Sequence, residues 1–338
     1  MKKVITLLIL ALVSLQANSQ AGGFAEQFIG INYGPYHLKD SGTQQYQQPG
    51  NTISVDQIKA DLKLIVQANF MYVRTFTMAD GMDQVPVIAK TYYPNLKICL
   101  GVHEDGCNRA ETQSQLDLAV ASANSNDNVA AIIVGDECLT GDARAEAPGH
   151  CPVSVATLGD DLKYVRERVK PAVIVTTDLS FGAAHDNHLA ELKACPYIDV
   201  WMINSYPFYQ PGGMLCDEQA IRDNLDWNYT EFNAPGYYGS TGKQILLGEH
   251  GWPTAGGDYG ISHPSVPNQQ LYFRVTSKWL PEKNWSAFYF EFFDEPWKST
   301  DNEPGGIGPH WGLFYSNGAR KWPLTSAVPP LNLLLMMD

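Results

Sequence analysis

The sequence is poor in basic residues and lacks the usual patterns of a metal site. Its 338 residues include 23 Lys and Arg against 36 Asp and Glu, which gives a formal net charge of −13. An acidic surface repels phosphate backbones and polyanionic glycans, so we expect no nucleic-acid partner. The chain has no CxxC pair and no cluster of histidines, the spacings typical of zinc sites. We therefore expect no metal and no cofactor.

The chain also lacks an apolar run long enough to span a membrane. Residues 4–13 are apolar, follow Met1-Lys2-Lys3 and precede the small polar run Ala17-Asn18-Ser19. This order is typical of a secretory signal peptide covering residues 1–19. We expect residues 20–338 to form one monomeric domain without a membrane anchor, secreted or, in a bacterium, periplasmic.

Cysteines are few but even in number, and an exported protein is expected to oxidise them to disulfides. Six cysteines allow 15 pairings, and sequence alone cannot choose among them. Short loops favour the pairs Cys138–Cys151, Cys195–Cys216 and Cys99–Cys107. Six buried free thiols are the alternative.

Strand-like and helix-like segments alternate along the chain. Between the strands, apolar residues recur at spacings of three and four, as in Val55, Ile58, Leu62 and Ile65, which indicates a buried helical face. The predicted strands are 28–33, 71–77, 96–103, 129–137, 172–177, 198–206, 244–253 and 287–293. Eight alternations without a fixed repeat or a Ser/Pro linker favour an α/β fold, a single (β/α)8 TIM barrel. A doubly wound open sheet is the alternative topology.

The stretch 244–253 indicates where function would lie. Aliphatic residues at 245–247 lead to Gly248 and Glu249, and a Gly-Trp-Pro loop sequence follows at 251–253. Continuous aliphatics are typical of a buried parallel strand. Glu249 would then be rigidly placed at the carboxyl end of the barrel, although a glutamate at a strand end can also be merely solvated.

Other polar residues end the predicted strands in the same way. In chain order they are Tyr33, Arg74, His103, Asp136, Glu137, Tyr206, Glu249 and Glu291. Barrel enzymes carry their sites at this end of the strands. Cleavage of a glycosidic bond needs one carboxyl to protonate the leaving oxygen and a second to meet the charge that develops at the anomeric carbon. Arg74 would keep a nearby carboxylate ionised, and the Tyr206 hydroxyl could hold it in place.

Aromatic residues are frequent at the same strand ends and in the loops beyond them. They are Tyr33, Tyr36, Phe76, Phe208, Tyr209, Trp252, Trp297 and Trp311. Flat rings complement the apolar C–H faces of sugars, so some of these residues are candidates for substrate contact, while others would be ordinary packing residues. Of these, we predict that Tyr33, Trp252 and Trp311 bind substrate, together with Tyr206, Arg74 and Asp136 at the strand ends.

Five ordered motifs make the sequence resemble glycoside hydrolase family 17, the β-1,3-glucanases and β-1,3-glucan transferases. They are Gly30-Ile31-Asn32-Tyr33-Gly34-Pro35, Val73-Arg74-Thr75-Phe76, Val134-Gly135-Asp136-Glu137, Gly248-Glu249-His250-Gly251-Trp252-Pro253 and Phe290-Glu291-Phe292-Phe293-Asp294-Glu295-Pro296-Trp297-Lys298. The resemblance covers nearly the whole predicted mature chain. The last motif is similar to the bacterial and fungal branch rather than the plant branch.

The resemblance implies a retaining mechanism, with Glu137 as general acid/base and Glu249 as nucleophile. In a retaining enzyme the two carboxyls are expected roughly 5–5.5 Å apart. Tyr33 and Tyr206 match residues that line the cleavage subsite. Three further residues match an outer polar set that could also be structural: Glu291, Glu295 and Lys298.

Two positions depart from the family pattern. Asp136 stands where the family usually has Asn, and His250 stands where it usually has Thr or Ser. An Asn amide can donate hydrogen bonds, whereas an ionised Asp only accepts them, so rate or specificity is in question. Strand alternation turns His250 away from the side that Glu249 faces, so we expect it to pack against a helix.

These observations together predict a secreted glycosidase that cleaves neutral β-1,3-glucan by double displacement, in the manner of an endo-β-1,3-glucanase. A β-1,3-glucanosyltransferase would use the same residues. A glucan-binding protein that has lost turnover is the alternative from another class, with Asp136 as the sign of decay.

Overall fold

A computed structural model describes residues 22–141, 151–300 and 304–324. Within these ranges eight parallel strands form a closed barrel in chain order, and the last strand pairs with the first. The strands are β1 (Ile29–Asn32), β2 (Tyr72–Arg74), β3 (Lys97–Val102), β4 (Val129–Asp136), β5 (Ile174–Leu179), β6 (Trp201–Ile203), β7 (Ile245–His250) and β8 (Ser286–Tyr289). The predicted (β/α)8 barrel is confirmed, and the open-sheet alternative is wrong.

Seven α-helices pack around the barrel in the described residues. They are α1 (Val55–Gln67), α2 (Val85–Tyr92), α3 (Arg109–Ser125), α4 (Val155–Arg166), α5 (Leu189–Ala194), α6 (Glu218–Asn233) and α7 (Val266–Glu282). In α1 the predicted face is buried at Ile58, Leu62 and Ile65, whereas Val55 is 51% exposed. Ser54 caps α1 by accepting a hydrogen bond from the Gln57 backbone N–H. The described part of the chain after β8 forms short 3₁₀ turns instead of a further α-helix.

The core has two layers, because helices cover strands that are themselves closed around an interior. One cluster fills the barrel and takes residues from all eight strands or their first neighbours. Its members are Phe28, Tyr72, Cys99, Ala131, Ile133, Ile174, Val200, Met202, Leu246 and Phe288. The larger cluster lies between the strands and the helices. Both faces of most strands are therefore apolar along their length, and charged side chains converge at the strand ends.

The disulfide pairing differs from the one that loop length favours. Cys107 is bonded to Cys151, with a Cα–Cα distance of 5.5 Å, so the predicted pairs Cys138–Cys151 and Cys99–Cys107 are both wrong. Cys99 points into the barrel interior, out of reach of the Cys107 loop. The loops that follow β3 and β4 are neighbours in space, and the Gly106 N–H donates to the Cys151 carbonyl at 2.8 Å.

The third predicted pair is wrong as well. Cys195 is buried at the end of α5 and holds no disulfide. Cys216 lies before α6, and its thiol contacts the Asn268 carbonyl at 3.4 Å.

Two predictions concern residues outside the described ranges or are not tested by them. The predicted signal peptide, residues 1–19, lies outside the described residues, and so does the apolar stretch 331–337. The limits of the single domain stay a prediction. In the described ranges, no helix combines the length and apolar character that crossing a membrane requires.

Candidate active site

Glu249 is buried at the carboxyl end of β7 and is held by two side chains from other strands. Its carboxylate accepts a hydrogen bond from the Tyr206 hydroxyl at 2.5 Å and one from Arg74 Nη1 at 3.1 Å. Only 1% of Glu249 is exposed. The preceding Gly248 admits no side chain, because a Cβ there would lie 2.0 Å from Asp178 Oδ1. The carboxylate is therefore held in one orientation by two donors from other strands.

Glu137 follows β4 in an irregular turn that directs it into the same barrel mouth. Its φ is +47°, and Gly135 before it has φ +76°. The pairing of β4 with β5 shifts register between Ile133 and Asp136, which is the local irregularity needed for adjacent side chains to enter one site. Asn204 Nδ2 donates to Glu137 Oε1 at 2.8 Å. Glu137 is partly exposed, in contrast with Glu249, so solvent and a leaving group can reach it.

Arg74 on β2 is the cation that joins the carboxylates. Its guanidinium is buried, donates to Asp136 Oδ1 at 3.0 Å and forms a close ion pair with Asp178 in addition to its contact with Glu249. It also donates to the Gly248 carbonyl at 3.0 Å. Although burial alone would lower the pKa of Arg74, these three carboxylates raise it, so the group stays charged.

Asp178 is the member of this cluster that the sequence prediction missed. It is fully buried near the end of β5 and pairs in register with Asp136 on β4. Burial raises its pKa well above the usual range, and the charges of Asp136 and Glu249 add to this rise while Arg74 opposes it. The predicted fifth strand, 172–177, stops one residue short of Asp178. Extending it would have placed this carboxylate at a strand end with the others.

Three carboxylates have oxygens that lie within 4.8 Å of one another, close enough to hold a metal ion. They belong to Asp136, Asp178 and Glu249. Arg74 contacts all three, so the chain itself supplies the positive charge at this point. The donor set is therefore that of an ion-pair cluster around a guanidinium.

The outer polar set lies together after β8, but it is buried. Lys298 Nζ contacts Glu291 Oε1 at 2.9 Å and Glu295 Oε2 at 2.8 Å. Glu291 is 0% exposed, Glu295 2% and Lys298 7%. Burial raises the pKa of Glu291 well above its usual range. Lys298 also lies 4.5 Å from the centre of the Phe290 ring. These ion pairs hold the segment after β8 together, and whether the three residues also contact substrate stays a prediction.

The predicted aromatic contacts divide into two groups. Trp311 packs edge-on against Tyr206, with ring centres 5.1 Å apart, and so belongs to the wall beside Glu249. Tyr33 is fully buried with its hydroxyl 2.8 Å from Asp61 on α1. Trp252 is fully buried too, and its Nε1 donates to the His263 carbonyl at 2.9 Å. All three side chains are buried in the layer between barrel and helices, and Trp311, 1% exposed, also packs against the Tyr206 ring beside Glu249.

His250 packs as its position in the strand predicts. Its ring lies 5.8 Å from Tyr272 on α7 and 5.3 Å from Tyr289 on β8. Burial lowers its pKa to about 3, so it is neutral over the pH range in which proteins function. It therefore acts as a packing residue between β7 and α7.

Comparisons with known proteins show the family of the chain. Residues 30–312 match the BtgE/BtgC glycoside hydrolase domain family. A glucan 1,3-β-glucosidase of Arthroderma benhamiae is 26% identical over 266 residues, which cover 76% of this chain and 80% of that protein.

Two further matches cover more of this chain. The btgC protein of Aspergillus niger, named for glucan endo-1,3-β-glucosidase activity, is 27% identical over 86% of this chain, which spans only 42% of that longer protein. The crystal structure of a glycoside hydrolase family 17 β-1,3-glucanosyltransferase from Rhizomucor miehei aligns with a TM-score of 0.67 and 25% identity, over 90% of this chain and 98% of that one.

Proposed function

The chain belongs to the BtgE/BtgC glycoside hydrolase family, of glycoside hydrolase family 17 type, and from that premise we propose that it is a secreted enzyme that hydrolyses β-1,3-glucan with retention. The observation that carries the proposal is the pair of unlike glutamates at the barrel mouth. Glu249 is buried and held by Arg74 and Tyr206, whereas Glu137 is partly exposed. One carboxyl is thus suited to remain a fixed anion and the other to exchange protons.

In the first step Glu249 attacks the anomeric carbon of the bound glucosyl unit. Its bond to that carbon forms as the glycosidic bond breaks, and the electron pair of the broken bond goes to the leaving oxygen. Glu137 donates its proton to that oxygen, so the shortened chain leaves as an alcohol. Asn204, which donates to Glu137 Oε1, orients the acid for this transfer.

In the second step Glu137, now a carboxylate, takes a proton from an incoming water. The water oxygen bonds to the anomeric carbon and Glu249 is released with its electron pair, which restores both groups. Arg74 and Tyr206 stabilise the returning charge because they already contact the Glu249 carboxylate. Two inversions at one carbon give net retention.

Transfer to a sugar hydroxyl instead of water is the second candidate. The Rhizomucor miehei protein, a β-1,3-glucanosyltransferase, aligns over most of both chains, and the same two glutamates would serve both outcomes. The names of the curated relatives favour hydrolysis. The presence of both Glu137 and Glu249, each with its hydrogen-bond partner, argues against a binding protein without turnover.

The distribution of products from laminarin, a β-1,3-glucan, tests the proposal. Hydrolysis yields shorter oligosaccharides and transfer yields longer ones, while a polymer that is bound but unchanged would contradict both. The anomeric configuration of the first product, followed by NMR, tests retention. An initial α-anomer from a β-linked substrate would contradict double displacement.

A further inference from the structure

The part of β7 that carries Glu249 departs from regular strand pairing. The pairing of β7 with β8 shifts register between Leu247 and His250, so that Gly248 and Glu249 together face a single residue of β8. An extra residue in one strand disrupts the hydrogen-bond ladder locally and changes the direction of a side chain. The ladder alone therefore does not fix the peptide that carries the nucleophile, and other groups must hold it.

Two side chains from β1 and β2 hold the Gly248 carbonyl. Asn32 Nδ2 donates to this oxygen at 3.2 Å, and Arg74 Nη1 donates to it at 3.0 Å. Asn32 and Arg74 are register partners at the ends of their strands. Because β8 lies between β1 and β7 in the barrel, the Asn32 side chain crosses the interior to reach Gly248. A carbonyl oxygen has two lone pairs, so these two donors satisfy it.

Asn32 has fewer contacts than Arg74. Arg74 also forms ion pairs with Asp136, Asp178 and Glu249. Asn32 is 0% exposed, and within the part of the chain that the structure describes its Oδ1 has no hydrogen-bond partner. A buried amide that is only half satisfied costs free energy relative to an apolar side chain. Stability therefore does not account for an asparagine at this position, whereas its one donated hydrogen bond does.

The same peptide is restrained on its other sides. The Ser205 N–H donates to the Glu249 carbonyl at 2.9 Å. A Cβ on Gly248 would lie 2.0 Å from Asp178 Oδ1, so the strand passes directly against that carboxylate. The bond from Asn32 completes this set, because it fixes the carbonyl that immediately precedes Glu249.

We propose that Asn32 is a positioning residue for the nucleophile: by holding the Gly248 carbonyl, it sets the orientation from which Glu249 attacks the anomeric carbon. The inference rests on the proposed function, because it gives Asn32 a part in the attack step. Asn32 acts through the peptide and not on the reacting atoms. A misplacement of about 1 Å at an attacking atom can slow a reaction roughly a hundredfold, so one hydrogen bond at this peptide has a large effect on rate.

Asn32→Leu tests the proposal, because it removes the donor and keeps much of the side-chain volume. Single-turnover release of dinitrophenol from dinitrophenyl β-laminaribioside measures the attack by Glu249, since so good a leaving group needs no proton from Glu137. We expect the maximal single-turnover rate to fall roughly 10- to 100-fold. The half-saturating substrate concentration should change by less than about threefold, because ground-state binding is not affected.

Asn128 offers a matched control at the opposite end of the barrel. It precedes β4, is 3% exposed, and donates from Nδ2 to the Pro86 carbonyl at 2.9 Å. Its Oδ1, like that of Asn32, has no hydrogen-bond partner among the described residues. Asn128→Leu thus removes the same kind of buried hydrogen bond. It should change Tm by an amount comparable to Asn32→Leu and leave the single-turnover rate within about twofold of the parent.

Asn32→Asp keeps the shape of the side chain and makes the donor depend on pH. A protonated carboxyl can donate to the Gly248 carbonyl as the amide does, whereas a carboxylate cannot. The groups around it are the Arg74 guanidinium and the carboxylates that Arg74 contacts, Asp136, Asp178 and Glu249. We expect the single-turnover rate of Asn32→Asp, relative to the parent, to fall as pH rises from 4 to 8. The corresponding ratio for Asn32→Leu should stay constant.

The other outcomes overturn the inference. An Asn32→Leu rate within about twofold of the parent would show that the bond does not position Glu249, and so would an equal loss of rate in Asn128→Leu. A ratio for Asn32→Asp that does not change with pH would do the same, and this variant decides the matter if Asn32→Leu does not fold. In each of these cases the proposed function still stands. If the folded parent neither releases dinitrophenol nor changes laminarin, the proposed function fails and the role of Asn32 fails with it.

Discussion

At the scale of single residues, the side chains around Glu249 define what each substitution should do. Glu249→Gln keeps the shape of the side chain but removes the charge that attacks the anomeric carbon. We expect the rate on laminarin to fall by roughly a thousandfold or more, with Tm and oligosaccharide affinity nearly unchanged. A variant that keeps a near-native rate would contradict the assignment of Glu249 as nucleophile.

Asp178 is expected to act through Arg74. Its carboxylate forms a buried ion pair with the guanidinium that also contacts Glu249 and the Gly248 carbonyl. Asp178→Ala should let Arg74 move and leave its charge less compensated, which lowers stability by about 3 kcal/mol or more. We expect kcat to fall 10- to 100-fold with a smaller change in KM.

Asp178→Asn is the matched control, because it keeps the shape beside Gly248. It should lose less activity and less stability than Asp178→Ala. Urea unfolding and steady-state kinetics on laminarin measure both quantities. An alanine variant with the parental kcat would show that Asp178 is not needed to position Arg74.

Asp136 is the departure from the family pattern that can be tested most directly. Its Oδ1 accepts a hydrogen bond from Arg74 Nη2 at 3.0 Å. When it is ionised, it has no donor to offer to a sugar hydroxyl. Asp136→Asn returns a donor and reduces the negative charge beside Glu137. We therefore expect kcat/KM to rise several-fold at neutral pH.

A pH–rate profile from pH 4 to 8 checks this prediction. The reduced negative charge should also move the basic limb of the profile. A variant equal to or slower than the parent across the whole range would show that Asp136 is adapted to its ion pair with Arg74.

The fold explains which of the predicted residues lie close together. The ends of parallel strands meet at one rim, so Arg74, Glu137, Tyr206 and Glu249 come together as soon as the strands are placed. Tyr33 could not be placed in the same way. Its hydroxyl bonds to Asp61 on α1, a contact that depends on which side of the strand the ring leaves.

At the scale of elements, the turn after β4 and the loop after β3 form one unit. A Cβ on Gly135 would lie 2.5 Å from Cys138 Sγ, so the turn that presents Glu137 requires glycine there. The disulfide Cys107–Cys151 ties the two loops across the rim. Loop length predicted the wrong pairing, because the loops of adjacent strands are close in space although their cysteines are 44 residues apart.

Removal of this disulfide should cost both stability and activity. Closing a loop with a sequence separation of 44 contributes about 4 kcal/mol in the chain-entropy treatment, which is model-dependent. We expect the double variant Cys107→Ser with Cys151→Ser to show a lower Tm and a lower kcat. Cys216→Ser is the control, because Cys216 holds no disulfide and lies before α6. Peptide mapping that finds Cys151 joined to any other cysteine, or reduced, would contradict the pairing.

At the scale of the whole molecule, the closed barrel was predictable because strand-like and helix-like segments alternate along the chain. The structure of the segment after β8 was not predictable in this way. After β8 the described chain forms 3₁₀ turns and returns to the barrel mouth, where Phe293 pairs with Phe314. No apolar periodicity marks such a segment, since its residues are placed by individual contacts. These include the Glu291 carbonyl, which accepts the Leu313 N–H at 2.9 Å.

The distribution of buried carboxyls makes a prediction for the stability of the whole protein. Burial raises the pKa of Glu104 to about 7, with the charge of Asp161 adding to the rise, and burial raises the pKa of Asp294 to about 6. Burial shifts the pKa of Asp161 in the same direction. The folded protein thus keeps protons that the unfolded chain has already released, so stability falls as pH rises from about 4.5 to about 7.

His250 has the opposite effect on stability. Burial lowers its pKa to about 3, so as the pH falls His250 gains its proton in the unfolded chain before it does in the folded protein, and this favours unfolding. The carboxyls with raised pKa values oppose the lowered pKa values of His250, His310 and Glu295, and the net charge of −13 adds self-repulsion at higher pH. We therefore expect Tm to be higher at pH 5.5 than at pH 8. Glu104→Gln, which cannot ionise, should reduce the difference. A Tm that is equal or higher at pH 8, measured by calorimetry at constant ionic strength, would show that these carboxyls are not penalised by burial as their surroundings indicate.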